Sequence, residues 1–529
     1  KNKKATVFFL LFWGCLAVMS VLKYKNLHST YFDLGVFFHN IDRIANGEWP
    51  RLFLSHAQPF LVFWSILPIF FPEEIVASLS LISQAAFLTL PIIGIYLYLG
   101  AIPSIAFLLY FPLWYNGLFD FHIDHLSVPL LFAFFFFERL EKIKTALLFG
   151  FLLALVKEPF ALQTVFCGFY LILKRKYLKE GLILVIYGSV YFFIAYQYFK
   201  VYFNSAFMFE LGSTHITSVT NSPYSWLGSN TKEIIICIIT QPHKIFLEIF
   251  TNKEKVLYLL YLFGALGFIP LLKPKVLVVT IPIFAVSLLS SLPNHHGFTH
   301  HYTAGLIAPM IIAFSQGLPK AKILWGKLTL KKELFYPILI SGLFICHFLL
   351  SPSPIGRKFF LEKAWNYHYS IYWPSDRNAM IKSTLSKVIP VNPEIVVSMQ
   401  NSLIWNSLMQ RKITLIFPGG AVEKIIGVNT SNLTWNGLLK YVFLGNLETP
   451  PLKKYWADYI VLDLKRPWFI VDRGCHWIAG KCMDNPVFES EFLGLVEKTQ
   501  KYFDPIFEND GFMILKRKTG ITSPTQAGN

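Results

Sequence analysis

The chain has 529 residues, 54% hydrophobic and only 15% charged, with a mean hydropathy of +0.48. Soluble domains carry about 25% charged residues; so wide a gap calls for a second apolar solvent, the bilayer, and excludes a soluble enzyme. The net charge of +17 does not signal nucleic acid, because the basic residues stand in short runs between apolar segments, the pattern that orients spans, and not on one folded face.

Residues 6–22, preceded by Lys1, Lys3 and Lys4, predict an uncleaved first span with its N-terminus inside. Next comes Tyr31-Phe32-Asp33-Leu34-Gly35, continuing through Phe37, Phe38, Ile41 and Ile44 to Gly47, an amphipathic helix just outside that span. Asp33 lies near its start, where an ordinary carboxylate would also sit to face the helix dipole.

Further apolar runs fall at 58–71, 75–99, 101–117, 126–138, 145–156, 158–173, 181–203, 255–272, 275–292, 303–317 and 333–350. The run 58–71 decides the topology. It is short and interrupted by Pro59 and Pro68, as suits a helix lying in the interface. Left out of the spans, it gives about eleven crossings. Arg139, Lys142, Lys144, Lys174 to Lys179, Lys273, Lys275 and Lys320 to Lys332 then all fall inside with the N-terminus. The outside receives the long first loop (23–74), Tyr115 to His125, Lys157-Glu158, residues 204–254, Asn294 to Tyr302, and everything after 351.

The expected architecture is mainly α. A polytopic transmembrane helix bundle (1–351) precedes a soluble, extracytoplasmic α/β domain (352–529). In that tail, strands are expected at Glu394 to Ser398, Ile413 to Phe417, Asp458 to Leu462 and Gly511 to Leu515, with helices at Ser402 to Gln410 and Glu489 to Gln500. Cys15, Cys167, Cys237 and Cys346 read as small core residues, whereas Cys475 and Cys482 could pair outside the cytoplasm.

Three polar constellations stand on the outer side with Asp33. Phe119-Asp120-Phe121-His122-Ile123-Asp124-His125 sets two carboxylates and two imidazoles beside the membrane, where polar groups are costly and usually functional. Lys157-Glu158-Pro159 is an ion pair between two apolar helices, to be read as facing a cavity or as snorkelling to the interface. Asn294-His295-His296-Gly297-Phe298-Thr299-His300-His301-Tyr302 holds four histidines, suited to a metal or a phosphate, or simply a solvated loop. No H-E-x-x-H, nucleophile elbow or P-loop occurs.

Phe32-Asp33-Leu34-Gly35-Val36-Phe37, Ser55-His56-Ala57-Gln58-Pro59-Phe60, Phe119-Asp120-Phe121-His122, Val156-Lys157-Glu158 and His301-Tyr302, in this order, resemble the bacterial and archaeal family of predicted membrane proteins known as domain of unknown function 2079. The resemblance runs over roughly residues 30 to 515, and Pro159 stands where that family usually has an acidic residue. The family is similar in layout to the type-C glycosyltransferases, which move a sugar from a polyprenyl-phosphate lipid to an acceptor outside the cytoplasm. That likeness implies Asp33 as general base. A departing phosphate needs cationic or metal stabilisation. The candidates for binding donor phosphate or substrate are His56, His122, His125, Lys157, Glu158, His300, His301 and Tyr302, and Asp120 and Asp124 are candidates to hold a divalent metal (Mg or Mn). The expected partners are the lipid-linked sugar and a glycan, lipid or protein acceptor, in the plasma membrane. A transporter or flippase for an anionic or lipid-linked substrate, or a non-catalytic scaffold, are the competing readings.

Overall fold

The computed structural model describes residues 2–53, 56–204, 223–229, 231–328, 331–361, 367–392, 394–405, 414–417, 420–421, 425–428, 452–465, 477–478, 481–482 and 486–520. Among them four helices are long and apolar enough to cross a bilayer: Lys3–Lys25, Glu73–Leu99, Leu178–Tyr196 and Lys332–Leu350. Two bent pairs, Ala101–Leu109 with Phe111–Leu118 (50°) and Lys232–Thr240 with Pro242–Thr251 (86°), raise the number to six if each is one broken span. Pro112 and Pro242, at the start of the second helix of each pair, account for the breaks. The second pair occupies part of 204–254, which the sequence reads as an outer loop. The runs near 145–156, 158–173 and 275–292 form the shorter apolar helices Ile143–Ala154, Glu158–Leu173 and Pro274–Leu288.

Crossing helices turn apolar side chains outward: Leu11 is 68% exposed, Ile186 63% and Phe193 62%. Such a surface suits lipid as its solvent. Where helices meet, lipid supplies no hydrophobic force, and close backbone approach takes its place. Glu158–Leu173 and Leu178–Asn204 meet along glycines: a Cβ on Gly168 would stand 2.5 Å from the Gly181 carbonyl oxygen, and one on Gly188 2.8 Å from that of Ala161.

The stretch that decided the topology forms two four-residue helices, Leu61–Trp64 and Leu67–Phe70. At a rise of about 1.5 Å per residue, Leu61–Phe70 reaches roughly 15 Å, half the ~30 Å hydrocarbon core. Leu61 and Trp64 are buried while Phe63, Ile69 and Phe70 are exposed, so it lies on the protein with one apolar face outward.

Beyond residue 351 the chain forms strands β1 (Val397–Met399), β2 (Thr414–Ile416), β3 (Ile425–Val428), β4 (Leu452–Tyr455), β5 (Tyr459–Asp463), β6 (Trp477–Ile478), β7 (Lys481–Cys482), β8 (Phe503–Asn509) and β9 (Phe512–Arg517). Five of them make one mixed sheet in the order β2-β1-β5-β9-β8, with β1 parallel to both neighbours and β9 antiparallel to β5 and β8. The expected helix at 489–500 is Pro486–Thr499; that at 402–410 lies largely outside the described residues, as does Cys475.

Strand alternation ties this sheet to the bundle. Tyr459 and Val461 of β5, and Phe512 and Ile514 of β9, join the core that continues through the helices. Ile460, Leu462, Met513 and Leu515 face a second cluster with Phe417, Trp456 and Phe503. The hydrophobic core therefore runs unbroken across residue 351.

Candidate active site

The first helix delivers its last turn to the loop 119–126. Lys23 Nζ donates to Asp120 Oδ1 at 3.1 Å and to the Leu118 carbonyl at 3.1 Å, with both charged side chains buried. Gln84, one amide inside an apolar helix, clamps that loop. Its Nε2 donates to the carbonyls of Asn116, Phe119 and Asp120 at 3.3–3.4 Å, and its Oε1 accepts from the His122 N–H at 2.9 Å. A buried backbone needs such partners, and a side-chain amide can serve both polarities.

Asp33 lies in a π-turn, Tyr31–Gly35, that leads into the helix Val36–Ala45. Single-turn π segments are frequent at functional sites. Thr30 connects Asp33 to Asp120: its N–H donates to Asp120 Oδ2 at 2.7 Å, and its hydroxyl lies 2.9 Å from that oxygen and 3.2 Å from Asp33 Oδ2. One hydroxyl has one proton to give. If it goes to Asp120, a protonated Asp33 can complete the chain by donating to Thr30. Burial, and then the Asp120 carboxylate nearby, push Asp33 up to about 7.

Asp124 is the second hub. Its Oδ1 lies 3.0 Å from His122 Nδ1 and 3.6 Å from Lys157 Nζ, and its Oδ2 lies 3.5 Å from His301 Nε2. Burial pushes its carboxyl up, but His122, Lys157 and His301 outweigh that and hold it well below the usual range. Burial lowers His122 to about 4 and takes His301 well below the ordinary histidine value, which keeps both imidazoles neutral at physiological pH. The two rings stack with centroids 3.3 Å apart. One ligand atom each from Asp33, His122 and His301 lies within 4.8 Å of the others.

Of the remaining candidates, Tyr302 packs against His301 with ring centroids 4.3 Å apart and planes tilted by 43°, and its hydroxyl feels the charges of Asp33 and Asp124. His300 lies against Phe119 with Nδ1 2.9 Å from Thr299 Oγ1. Glu158 accepts from the Ala57 N–H at 2.8 Å and lies 3.0 Å from His56 Nδ1, so this pair fastens the first loop. His125 is set apart: its ring packs among Trp64, Phe87 and Phe121 while Nδ1 meets the His122 carbonyl. Asp120 and Asp124, the pair named for a metal, are each engaged by a lysine, Lys23 and Lys157 respectively. Lys23, Thr30, Gln84 and Asn116, which donates to Thr303 Oγ1 at 2.8 Å, escaped the sequence reading. Gln84 had a signal, an amide within an apolar run.

Three helices start at this cluster: Ser127–Arg139 just after Asp124, Glu158–Leu173 just after Lys157, and Ala304–Lys327 just after His301. Their positive dipole ends therefore favour negative charge there. They run away to a basic end, where Lys174 pairs with Glu138 at 2.5 Å and Lys275 donates to the Leu173 carbonyl at 3.2 Å.

A search of curated proteins gives no significant match. The sequence model of one family does match, over residues 23–409, a range holding every candidate residue discussed above. The chain belongs to the predicted membrane protein family DUF2079.

Proposed function

We propose that this chain is a membrane glycosyltransferase that moves a sugar from a polyprenyl-phosphate donor to an extracytoplasmic acceptor. The observation that carries the reading is the convergence of Asp33, His122 and His301 within 4.8 Å, beside Asp124 and Lys157 and at three helix N-termini. Asp33 takes the acceptor hydroxyl proton as that oxygen attacks the anomeric carbon, and the bond from that carbon to the phosphate oxygen breaks. The leaving phosphate carries its electron pair towards Lys157 and the helix N-termini, whose charge and dipoles favour an anion.

In this reading the bundle has about eleven crossings. The N-terminus and the basic helix ends face the cytoplasm, and the cluster and the sheet face outward. The meeting of the junctions 138–144, 173–179 and 273–275 through Lys174, Lys176 and Lys275 supports one basic face.

The test is transfer in proteoliposomes from a panel of radiolabelled polyprenyl-phosphate hexoses and pentoses. Wild-type chain should release label to an acceptor, and Asp33→Asn, which keeps size and polarity, should not. Equal transfer by that variant would defeat the proposal. The two bent helix pairs favour a transporter as the second reading. Label that crosses the vesicle unchanged, with Asp33→Asn unaffected, would establish it instead.

A further inference from the structure

Among the described residues the three carboxylates of the cluster are not equivalent. Asp120 has Lys23 at 3.1 Å and Asp124 has Lys157 at 3.6 Å, whereas Asp33 has no lysine, arginine or histidine within ion-pair distance. Beside it stand two buried imidazoles, His122 at 7% exposure and His301 at 6%, and no hydrogen bond reaches either ring nitrogen of His301. A buried polar atom without a partner is costly. Here a carboxylate without a direct cationic partner and the unpartnered Nδ1 of His301 share one place.

We propose that one carboxylate oxygen of Asp33, together with His122 and His301, binds a transition-metal dication such as Zn2+, which leaves the second Asp33 oxygen free to take a proton. Two nitrogens and one oxygen are a borderline donor set that selects zinc or its neighbours over magnesium or calcium, which take oxygen shells. Asp124 has the position of the outer carboxylate that orients ligating histidines: it stands 3.0 Å from His122 Nδ1 and 3.5 Å from His301 Nε2, leaving His122 Nε2 and His301 Nδ1 for the ion. The stacked rings must splay for both nitrogens to reach one ion, so binding moves side chains. The ion's role, neutralising the departing phosphate, rests on the transfer reading. Its binding does not.

The full chain is purified in detergent, stripped with chelator and titrated with Co2+. The expected result is one equivalent bound with visible d–d absorption. His122→Ala and His301→Ala should weaken it by roughly tenfold or more, while replacing exposed His243 by Ala changes nothing. His301→Cys should restore binding and add near-ultraviolet thiolate charge transfer, which separates lost ligation from lost folding. No stoichiometric uptake by wild-type chain, or wild-type uptake by His122→Ala and His301→Ala, would overturn the proposal. Cobalt bound without any sugar transfer leaves the metal site standing and removes the transfer reading.

Discussion

The Lys23–Asp120 pair offers the sharpest test of how the site is built. Both partners are nearly dry, with 5% and 2% of their side chains exposed, so solvent screening is slight. Asp120→Asn removes the negative charge but keeps the volume. The one remaining oxygen can accept from Lys23 or from the Thr30 N–H but not from both, and on the other side the new amide nitrogen meets a donor. Leaving one charge of a buried pair uncompensated costs about 3–5 kcal/mol. Lys23→Met should cost less, because the Asp120 carboxylate still accepts from both the N–H and the hydroxyl of Thr30. The assay is denaturation in detergent micelles for wild type, both single variants and the double variant. The double should fall short of the sum of the singles by about 1.5 kcal/mol or more, as expected for groups in one network. An Asp120→Asn loss below about 1 kcal/mol, or an additive double, would refute a buried compensating pair.

Other expectations follow from contacts elsewhere. Gly168→Ala places a methyl 2.5 Å from the Gly181 carbonyl oxygen, a backbone atom that cannot rotate away, and should cost about 1–3 kcal/mol in the same assay. Glu158→Ala strips the Ala57 N–H and His56 of their shared acceptor. The loss is about 1.5–3 kcal/mol for a charged hydrogen-bond partner, and faster tryptic cleavage after Arg51 should report the loosened loop; an unchanged rate would mean Glu158 does not hold it. Lys358, donating to the Tyr115 hydroxyl, is pushed down to about 8 by burial. A lysine lowered in the fold destabilises it while both states are protonated, so wild-type stability should rise as pH climbs from about 8 towards the free lysine value near 10.5. Lys358→Met should raise Tm at pH 7, with the gain shrinking across that window; a constant gain would locate its origin outside the charge.

Asp33, His122, Asp124, Lys157 and His301 were legible because a charge or imidazole flanking apolar runs is expensive and seldom idle. Lys23 was hidden by ambiguity, since a lysine ending an apolar run ordinarily snorkels to the interface. Gln84 and Gln163, which donates to the Gly305 carbonyl at 2.7 Å, lie inside the runs, and their acceptors come from segments that only the tertiary fold brings near. His125 looks like His122 in sequence, yet the intervening 3-10 turn, Ile123–Leu126, sends it to an aromatic box. In the tail the strand periods were readable, but not which face of β5 would meet the bundle. Hydropathy also counts apolar helices without measuring their length, and Ile143–Ala154, read as a span from its composition, forms one of the shorter apolar helices.

The Tyr31 N–H donates to the Asn401 carbonyl at 2.8 Å, and Asn378 Nδ2 to that of Asn26 at 3.0 Å. The segment bearing Asp33 thus leaves the ribosome well before its fasteners, which follow the apolar helix Lys332–Leu350. During synthesis that segment must wait with its bonding groups satisfied by water. The candidate site would then be completed late and all at once, and a truncated chain ending before residue 378 would be inserted yet unfinished.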